Sequence, residues 1–495
     1  MGIKLFLLII FFAVMVGVGF YSRRHVKSVD GFVLGGRSVG PWLTAFAYGT
    51  SYFSAVVFVG YAGQFGWKYG IASTWIGIGN ALIGSLLAWV VLGRRTKVMT
   101  QHLRAKTMPD FFGQRYGSKA LKIVASVIVF VFLIPYTASV YNGLSRLFGM
   151  AFNIPYTWCV IAMAVFTAIY VILGGYMATA INDFIQGIIM LFGIVAVIAS
   201  VLNGQGGFME AVSKMAQIPS DVPATMGQPG AFTSFFGPDP LNLLGVVILT
   251  SLGTWGLPQM IGKFYAIKDE KSINTGTVIS TLFAIVISGG CYFLGGFGRL
   301  FDSAEIYNAE TGAVVYDSII PSMLSKLPDI LIGIVVVLVL SASMSTLSSL
   351  VLTSSSTMTL DLLKDNIMKE MSEKKQIITM QILIVFFIVV SVVIALDPPT
   401  FIAQLMGISW GALAGAFLAP FLYGLYWKGV TRAGVWAGFI AGVGITVSNM
   451  FIGYIASPIN AGAAAMVAGL VIVPLVSLVT PKLKKEDVDE IFTCY

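Results

Sequence analysis

Charge is what this chain has least of. Asp, Glu, Lys and Arg make up 11% of its 495 residues, against 57% hydrophobic residues and a mean hydropathy of +0.88. A soluble globular protein carries roughly 25% charge. Less than half of that leaves too little polar surface to cover a water-exposed particle of 53.0 kDa. A soluble enzyme and a disordered or fibrous chain are thereby excluded. Histidine is nearly absent: His25 and His102 both read as loop residues, which leaves no pair to hold a haem inside a membrane. Cysteine is equally scarce, and Cys159, Cys291 and Cys494 stand too far apart for a disulfide framework or metal-ligand spacing. The chain lacks a Walker loop, a Cys-His cluster and a run with paired carboxylates. Nothing in it points to an enzyme.

What the chain does have is long apolar runs. They extend over about twenty residues, the length a helix needs to cross a bilayer, whereas an outer-membrane barrel needs alternating strands of about ten. Thirteen spans are expected, near 3–21, 41–66, 70–93, 121–148, 156–177, 182–202, 240–265, 273–299, 330–361, 376–396, 400–426, 432–454 and 461–480. The first is not a cleavable leader, because Arg23, Arg24 and Lys27 follow its apolar run rather than precede it. That order places the N-terminus outside. With thirteen spans the C-terminus is then inside, and 24 of the 30 Lys and Arg are assigned to the inside face, as the positive-inside rule requires. The net charge of +8 therefore reports membrane topology rather than nucleic-acid binding. Residues 1–495 read as one all-α polytopic membrane domain, with long outer loops at 203–239 and 300–329. The second loop is acidic, with Asp302, Glu305, Glu310, Asp317 and Asp329.

An odd span count suggests extra helices around a repeated core. Spans 2–6 and 7–11, about residues 41–426, fit five helices followed by five of opposite orientation. The first helix of each half is where a break is expected. Span 2 holds Gly49, Gly60 and Gly63; span 7 holds Gly253, Gly256 and Pro258. Such residues free backbone carbonyls, which is tolerable only where they line a cavity or bind an ion. Close packing through small residues is the alternative, and both readings stand at this point. The Gly-rich FVLGGRSVG stretch reads as a turn before span 2 rather than a phosphate loop.

Two features carry chemistry. Asp183 lies in an apolar context, INDFIQGIIM, where an acid is costly and usually functional. It reads either as a cation ligand or as a helix cap, since Gln186 has capping-box spacing. Span 9 holds twelve hydroxyl residues between Ser341 and Thr359. On a helix, Ser345, Ser348 and Ser349 share a face with Thr346 beside them. Hydroxyl and carbonyl oxygens suit a monovalent cation that must also leave again. Helix–helix adhesion through Ser and Thr is the plainer alternative, and the density of hydroxyls favours the ion site.

LGGRSVGPWLTA, YVILGGYMA with Gly174 and Gly175, NDFIQG around Asp183 and ASMSTLSS together resemble the sodium:solute symporter family over nearly the whole chain. The resemblance implies a thirteen-span cell-membrane carrier with a five-plus-five inverted-repeat core, taking up a small solute with Na+ by alternating access. It implies a first sodium site from the carbonyls of Thr50, Phe53 and Ala342 and the hydroxyls of Ser345 and Thr346. It also implies a second from Asp183, Ser345, Ser348 and Ser349. Tyr52, Ser54, Tyr136, Trp255 and Gln259 are the candidate solute lining, although Tyr52 and Trp255 fit equally as core aromatics. The proline branch differs from this chain at Tyr52, Val56, Thr250 and Thr254, and the sugar branch at Tyr52 and Val57. TSYFSAVVFVG is closer to branches that carry iodide, monocarboxylates, pantothenate and biotin. GLPQMIGKFYAIKDEKS and DPPTFIAQLMG are similar to pantothenate carriers. A small carboxylate-bearing solute is therefore expected first, and proline or another amino acid second. A proton-coupled carrier and a passive channel are the rivals of other classes. The partners expected are the solute, sodium ions and the lipid bilayer, with no nucleic acid.

Overall fold

The computed structural model describes residues 2–495, the side chain of His25 excepted. Among the described residues the chain is helical, with only two isolated β-bridges, Val39–Ile267 and Tyr307–Val314. Eleven helical runs among the described residues are long and apolar enough to cross a membrane. The elements that matter here are α1 (Gly2–Ser22), α2 (Pro41–Tyr52), α3 (Val56–His102), α4 (Lys119–Phe152), α5 (Tyr156–Gly204), α6 (Pro240–Leu252), α7 (Pro258–Ala266), α8 (Glu270–Gly295) and α9 (Asp329–Ile367). They are followed by α10 (Glu373–Leu396), α11 (Ile402–Tyr426), α12 (Arg432–Ile452) and α13 (Pro458–Val479). The most enclosed are α9 and α11, while α1 and α10 bury the smallest share of their residues. Ile382, Phe386, Val389 and Val393 on α10 are bare apolar side chains, as a lipid-facing helix requires.

Two runs, α3 and α5, have 47 and 49 residues, roughly 70 Å at 1.5 Å per residue and about twice a hydrocarbon core. Each contains a glycine with positive φ: Gly70 (φ +61) in α3 and Gly175 (φ 53, ψ −145) in α5. A Cβ at Gly70 would lie 2.2 Å from the Phe232 carbonyl oxygen, and one at Gly175 2.7 Å from that of Phe32. Only glycine satisfies both the backbone angle and the contact. Because α5 restarts at Gly175, Asp183 lies two turns inside a helix rather than at its start. The Gln186 amide meets the Met15 sulfur. The capping reading of Asp183 is therefore overturned.

The breaks expected in spans 2 and 7 both exist. In span 7 the helix ends at Leu252, passes through a tight turn at Gly253–Trp255 and an extended Leu257, and restarts with Pro258 at its first position. In span 2 the break falls at Phe53–Ser54, not at any of its glycines. Gly49, Gly60 and Gly63 instead pack tightly against Phe283, Ile402 and the Tyr316 carbonyl. Close packing explains those three; the break is carried by non-glycine residues.

The 300–329 loop is less solvated than its acidity suggests, because Asp317 is buried and accepts a hydrogen bond from the Ile402 amide, at the start of α11, at 3.3 Å. Burial pushes its pKa up to about 6, outweighing the neighbouring Arg146 charge and the Ile402 bond, which both lower it. The folded chain therefore holds this proton between about pH 4 and pH 6 where the unfolded chain does not. Stability from this group is present at pH 4 and lost as pH rises through 6, by about 2–3 kcal/mol. Asp317→Asn should match wild type in stability near pH 3.5 and exceed it by about 2–3 kcal/mol at pH 7.5. A thermal-unfolding pair at the two pH values checks this; an equal shift at both refutes it.

Candidate functional site

The break after Tyr52 leaves the last-turn carbonyls of α2 without helical partners. The negative end of the helix dipole points the same way. Those carbonyls face α9. The Ser345 hydroxyl lies 2.9 Å from the Thr50 carbonyl and 3.1 Å from that of Ala342. The Thr346 hydroxyl lies 3.3 Å from Thr50, 3.4 Å from Ser51 and 3.1 Å from Ala342 carbonyls. Thr50, Ala342, Ser345 and Thr346 are thus brought together, all buried. Phe53 is the residue that closes α2, its amide bound to the Gly49 carbonyl. The Ser51 carbonyl joins the cluster and was missed by the sequence reading. Hard neutral oxygens at a helix C-terminus, sealed from water, can replace the hydration shell of a small monovalent cation.

Aromatic side chains form a layer beside this cluster. The Tyr52 hydroxyl donates to the Thr250 carbonyl on α6, tying the two broken helices together. Its ring stacks on Phe53 at 4.2 Å and tilts against Trp410 of α11 at 6.1 Å. Tyr136 of α4 meets Trp410 edge-on at 5.9 Å. Ser54 is buried and caps the Val56 amide. The Tyr61 hydroxyl is buried without a hydrogen-bond partner, while the buried Tyr136 hydroxyl faces Ser54 and the Trp410 indole. Buried donors left unpaired cost free energy unless something completes them. Trp255 is partnered, donating to the Ile83 carbonyl at 3.0 Å. Gln259 lies elsewhere: both its amide atoms are unpartnered, and it lines a cavity with Lys106, Thr107, Lys263 and Ser349. Trp410 was missed by the sequence reading. Its signal was a tryptophan deep in an apolar span, flanked by Gly407 and Gly411, instead of at a membrane interface.

The second ligand set is arranged differently. Ser348 donates to the Ser345 carbonyl within α9. Ser349 and Ser51 hydroxyls are 2.8 Å apart. Asp183 is buried, and 3.7 Å from it stands the ammonium of Lys263, which donates to Ser349 at 2.9 Å. By sequence Lys263 counts as an inside-loop charge; the structure corrects this, since Pro258 starts α7 early enough to bury Lys263 in the bundle.

The GRSVG sequence at 36–40 has the spacing of a hydrolase nucleophile elbow. Here it follows no strand, and its Ser38 hydroxyl is spent on the Gly35 carbonyl.

Membrane-length helices, two of them interrupted around an enclosed cluster of oxygens, define an ion-coupled membrane carrier. Comparison with known proteins makes this specific. Residues 32–442 match the sodium:solute symporter family, and the chain belongs to that family. Sodium/proline symporters of Staphylococcus aureus strains JH9 and NCTC 8325 are each 30% identical to it, over 96% of this chain and 92% of theirs. A Na+-coupled sialic acid symporter in a substrate-bound outward-open state superposes with a TM-score of 0.76 at 15% identity, covering 98% of this chain and 99% of its own. A nucleobase-cation-symport-1 family transporter in a closed conformation superposes with a TM-score of 0.55 at 13% identity, covering 93% and 97%. At these identities the likeness is one of fold. The protein is a sodium-coupled symporter and not an enzyme.

Proposed function

We propose that this protein imports a small carboxylate-bearing solute together with sodium, by alternating access across the cell membrane. Counting α3 and α5 as two crossings each brings eleven runs to the thirteen of the sequence reading. The N-terminus is then outside, the C-terminus cytoplasmic, and spans 2–11 form an inverted repeat whose first helices are the two broken ones. Sodium is held by Thr50, Phe53, Ala342, Ser345 and Thr346. The observation that carries this reading is the set of α2 C-terminal carbonyls facing the Ser345 and Thr346 hydroxyls across the bundle.

The solute sits against Tyr52, Ser54, Tyr136 and Trp410. Its lining offers buried hydroxyl and indole donors at Tyr61, Tyr136 and Trp410, to which a carboxylate presents acceptors. The cavity at the basic end of the bundle reaches Ser349, one helical turn from Ser345, and provides the cytoplasmic exit for the ion. Pantothenate-like and monocarboxylate solutes fit this lining. The second reading, proline or another amino acid, is favoured by the curated relatives, which are sodium/proline symporters.

A tenfold sodium gradient supplies about 1.4 kcal/mol per ion, and about 100 mV adds about 2.3. Purified protein warmed with pantothenate, lactate and proline, each with sodium or choline, tests the reading. The true solute should raise the melting temperature more with sodium than with choline. A shift indifferent to sodium would favour a proton-coupled carrier or a channel. Tyr136→Phe and Trp410→Phe should each raise the KM for solute about tenfold without moving the half-saturating sodium concentration. Unaltered KM in both would remove the aromatic layer from the solute site.

A further inference from the structure

The sodium-coupled reading leaves Lys263 unused. Its ammonium is buried, 3.7 Å from the Asp183 carboxylate, 2.9 Å from the Ser349 hydroxyl and 5.3 Å above the Tyr176 ring. Ser349 in turn touches Ser51, whose carbonyl belongs to the oxygen cluster at the end of α2. Asp183 and Ser349 are two of the groups expected to hold a second sodium ion. A cation already stands among them, and it is covalently part of the protein. We propose that the Lys263 ammonium takes the place of a second alkali ion, so that each transport cycle carries one sodium, bound at Thr50, Ser345 and Thr346.

The electrostatics require a choice between the two cations. With Lys263 in place, Asp183 is neutralised and the pocket carries no net charge. An added sodium ion would leave an unbalanced positive charge beside an ammonium, away from water, where like charges repel most strongly. Neutral hydroxyls cannot compensate it. Lys263 stands 3.7 Å from the Asp183 carboxylate, a long contact in which charge does most of the holding. Removing the ammonium therefore exposes a ready-made anionic ligand, with Ser348 and Ser349 one turn from Ser345 on the same helix. A travelling ion must leave on every turnover, whereas a tethered one holds α5, α7 and α9 together without being consumed.

This inference rests on the proposed sodium site but is tested separately from it. The test is equilibrium binding of radioactive sodium to purified full-length protein. Wild type should bind one ion per chain, and Asp183→Asn should retain it with less than about threefold change in affinity. Lys263→Gln should bind two, the second lost again in Lys263→Gln/Asp183→Asn, while Lys263→Arg stays at one. Two ions bound by wild type, with one lost in Asp183→Asn, would overturn the proposal, and this outcome needs no lysine variant to fold. One ion bound by a folded Lys263→Gln would overturn it as well. If wild type bound none while Lys263→Gln gained an Asp183-dependent ion, the role of Lys263 would stand and the site at Thr50, Ser345 and Thr346 would fall.

Discussion

Replacing Ser345 and Thr346 together by alanine is expected to raise the half-saturating sodium concentration for uptake by about a hundredfold. The magnitude follows from the geometry. Each hydroxyl lies within 3.4 Å of two or more of the Thr50, Ser51 and Ala342 carbonyls, so each would supply one oxygen of the proposed shell. A ligand oxygen facing a charge is worth about 1.5 kcal/mol or more, and two give about 3, or roughly two decades of affinity. The cost to folding is smaller, because the lost contacts in the sodium-free protein are neutral hydrogen bonds of about 1 kcal/mol each. Sodium activation should therefore shift far more than expression or melting temperature. Thr346→Ser keeps the oxygen and should stay within a few-fold of wild type, while Thr346→Val keeps the shape and should not. Unchanged sodium activation in the double variant would leave the hydroxyls as helix adhesive only.

The largest effect on folding is expected at Gly66, far from that chemistry. A Cβ there would lie 1.9 Å from the carbonyl oxygen of Gly295 and 2.1 Å from its carbon. The reverse contact is as tight, with a Cβ on Gly295 2.1 Å from the Ala62 carbonyl oxygen. Both obstacles are backbone, so no side-chain rotation relieves them, and α3 and α8 would have to move apart. Overpacking of this kind costs about 1–3 kcal/mol where side chains can yield and more where they cannot. Gly66→Ala should lower the melting temperature sharply, and Gly66→Val should abolish monodisperse protein on size-exclusion chromatography. Gly262→Ala is the control, since nothing lies within 4 Å of its Cβ. Tolerance of Gly66→Val would mean that the two helices do not pack backbone to backbone.

These residues show what a sequence makes legible. Apolar runs and the charges between them expose a helical membrane protein directly, because the bilayer imposes length and composition. The hydroxyls of α9 stand out in the sequence for the same reason, and the structure places Ser345 and Thr346 against the end of α2. The break in span 2 was misplaced because glycine marks both flexible backbone and close packing. Gly49, Gly60 and Gly63 serve packing, while Phe53 and Ser54 adopt the non-helical turn. Lys263 escaped because a lysine between Ile261 and Ile267, close to Asp269 and Lys271, reads as the start of a loop. Burial came from tertiary context that a linear pattern does not contain. Asp183 was recognised as out of place, but its partner stands 80 residues further along the chain.

The lysine also bears on the solute. One sodium supplies about 3.7 kcal/mol under a tenfold gradient and about 100 mV. An anion moving inward returns about 2.3 of that to the field, which leaves about 1.4 and near tenfold accumulation. A zwitterion such as proline returns nothing and reaches several hundredfold. On the proposed single-ion cycle the driving force thus favours the second reading, an amino acid such as proline, over the anionic solutes that the lining suits.

The central claim is that sodium held between the end of α2 and the hydroxyls of α9 pulls solute through the bundle. Its most direct measurement is counterpart flux in proteoliposomes: labelled solute and radioactive sodium followed together under an imposed inward sodium gradient. The account predicts that both labels enter in fixed proportion, that solute accumulates above its outside concentration, and that choline or the Ser345→Ala/Thr346→Ala variant stops both. Solute that accumulates while sodium stays outside, or that only equilibrates across the membrane, would contradict it.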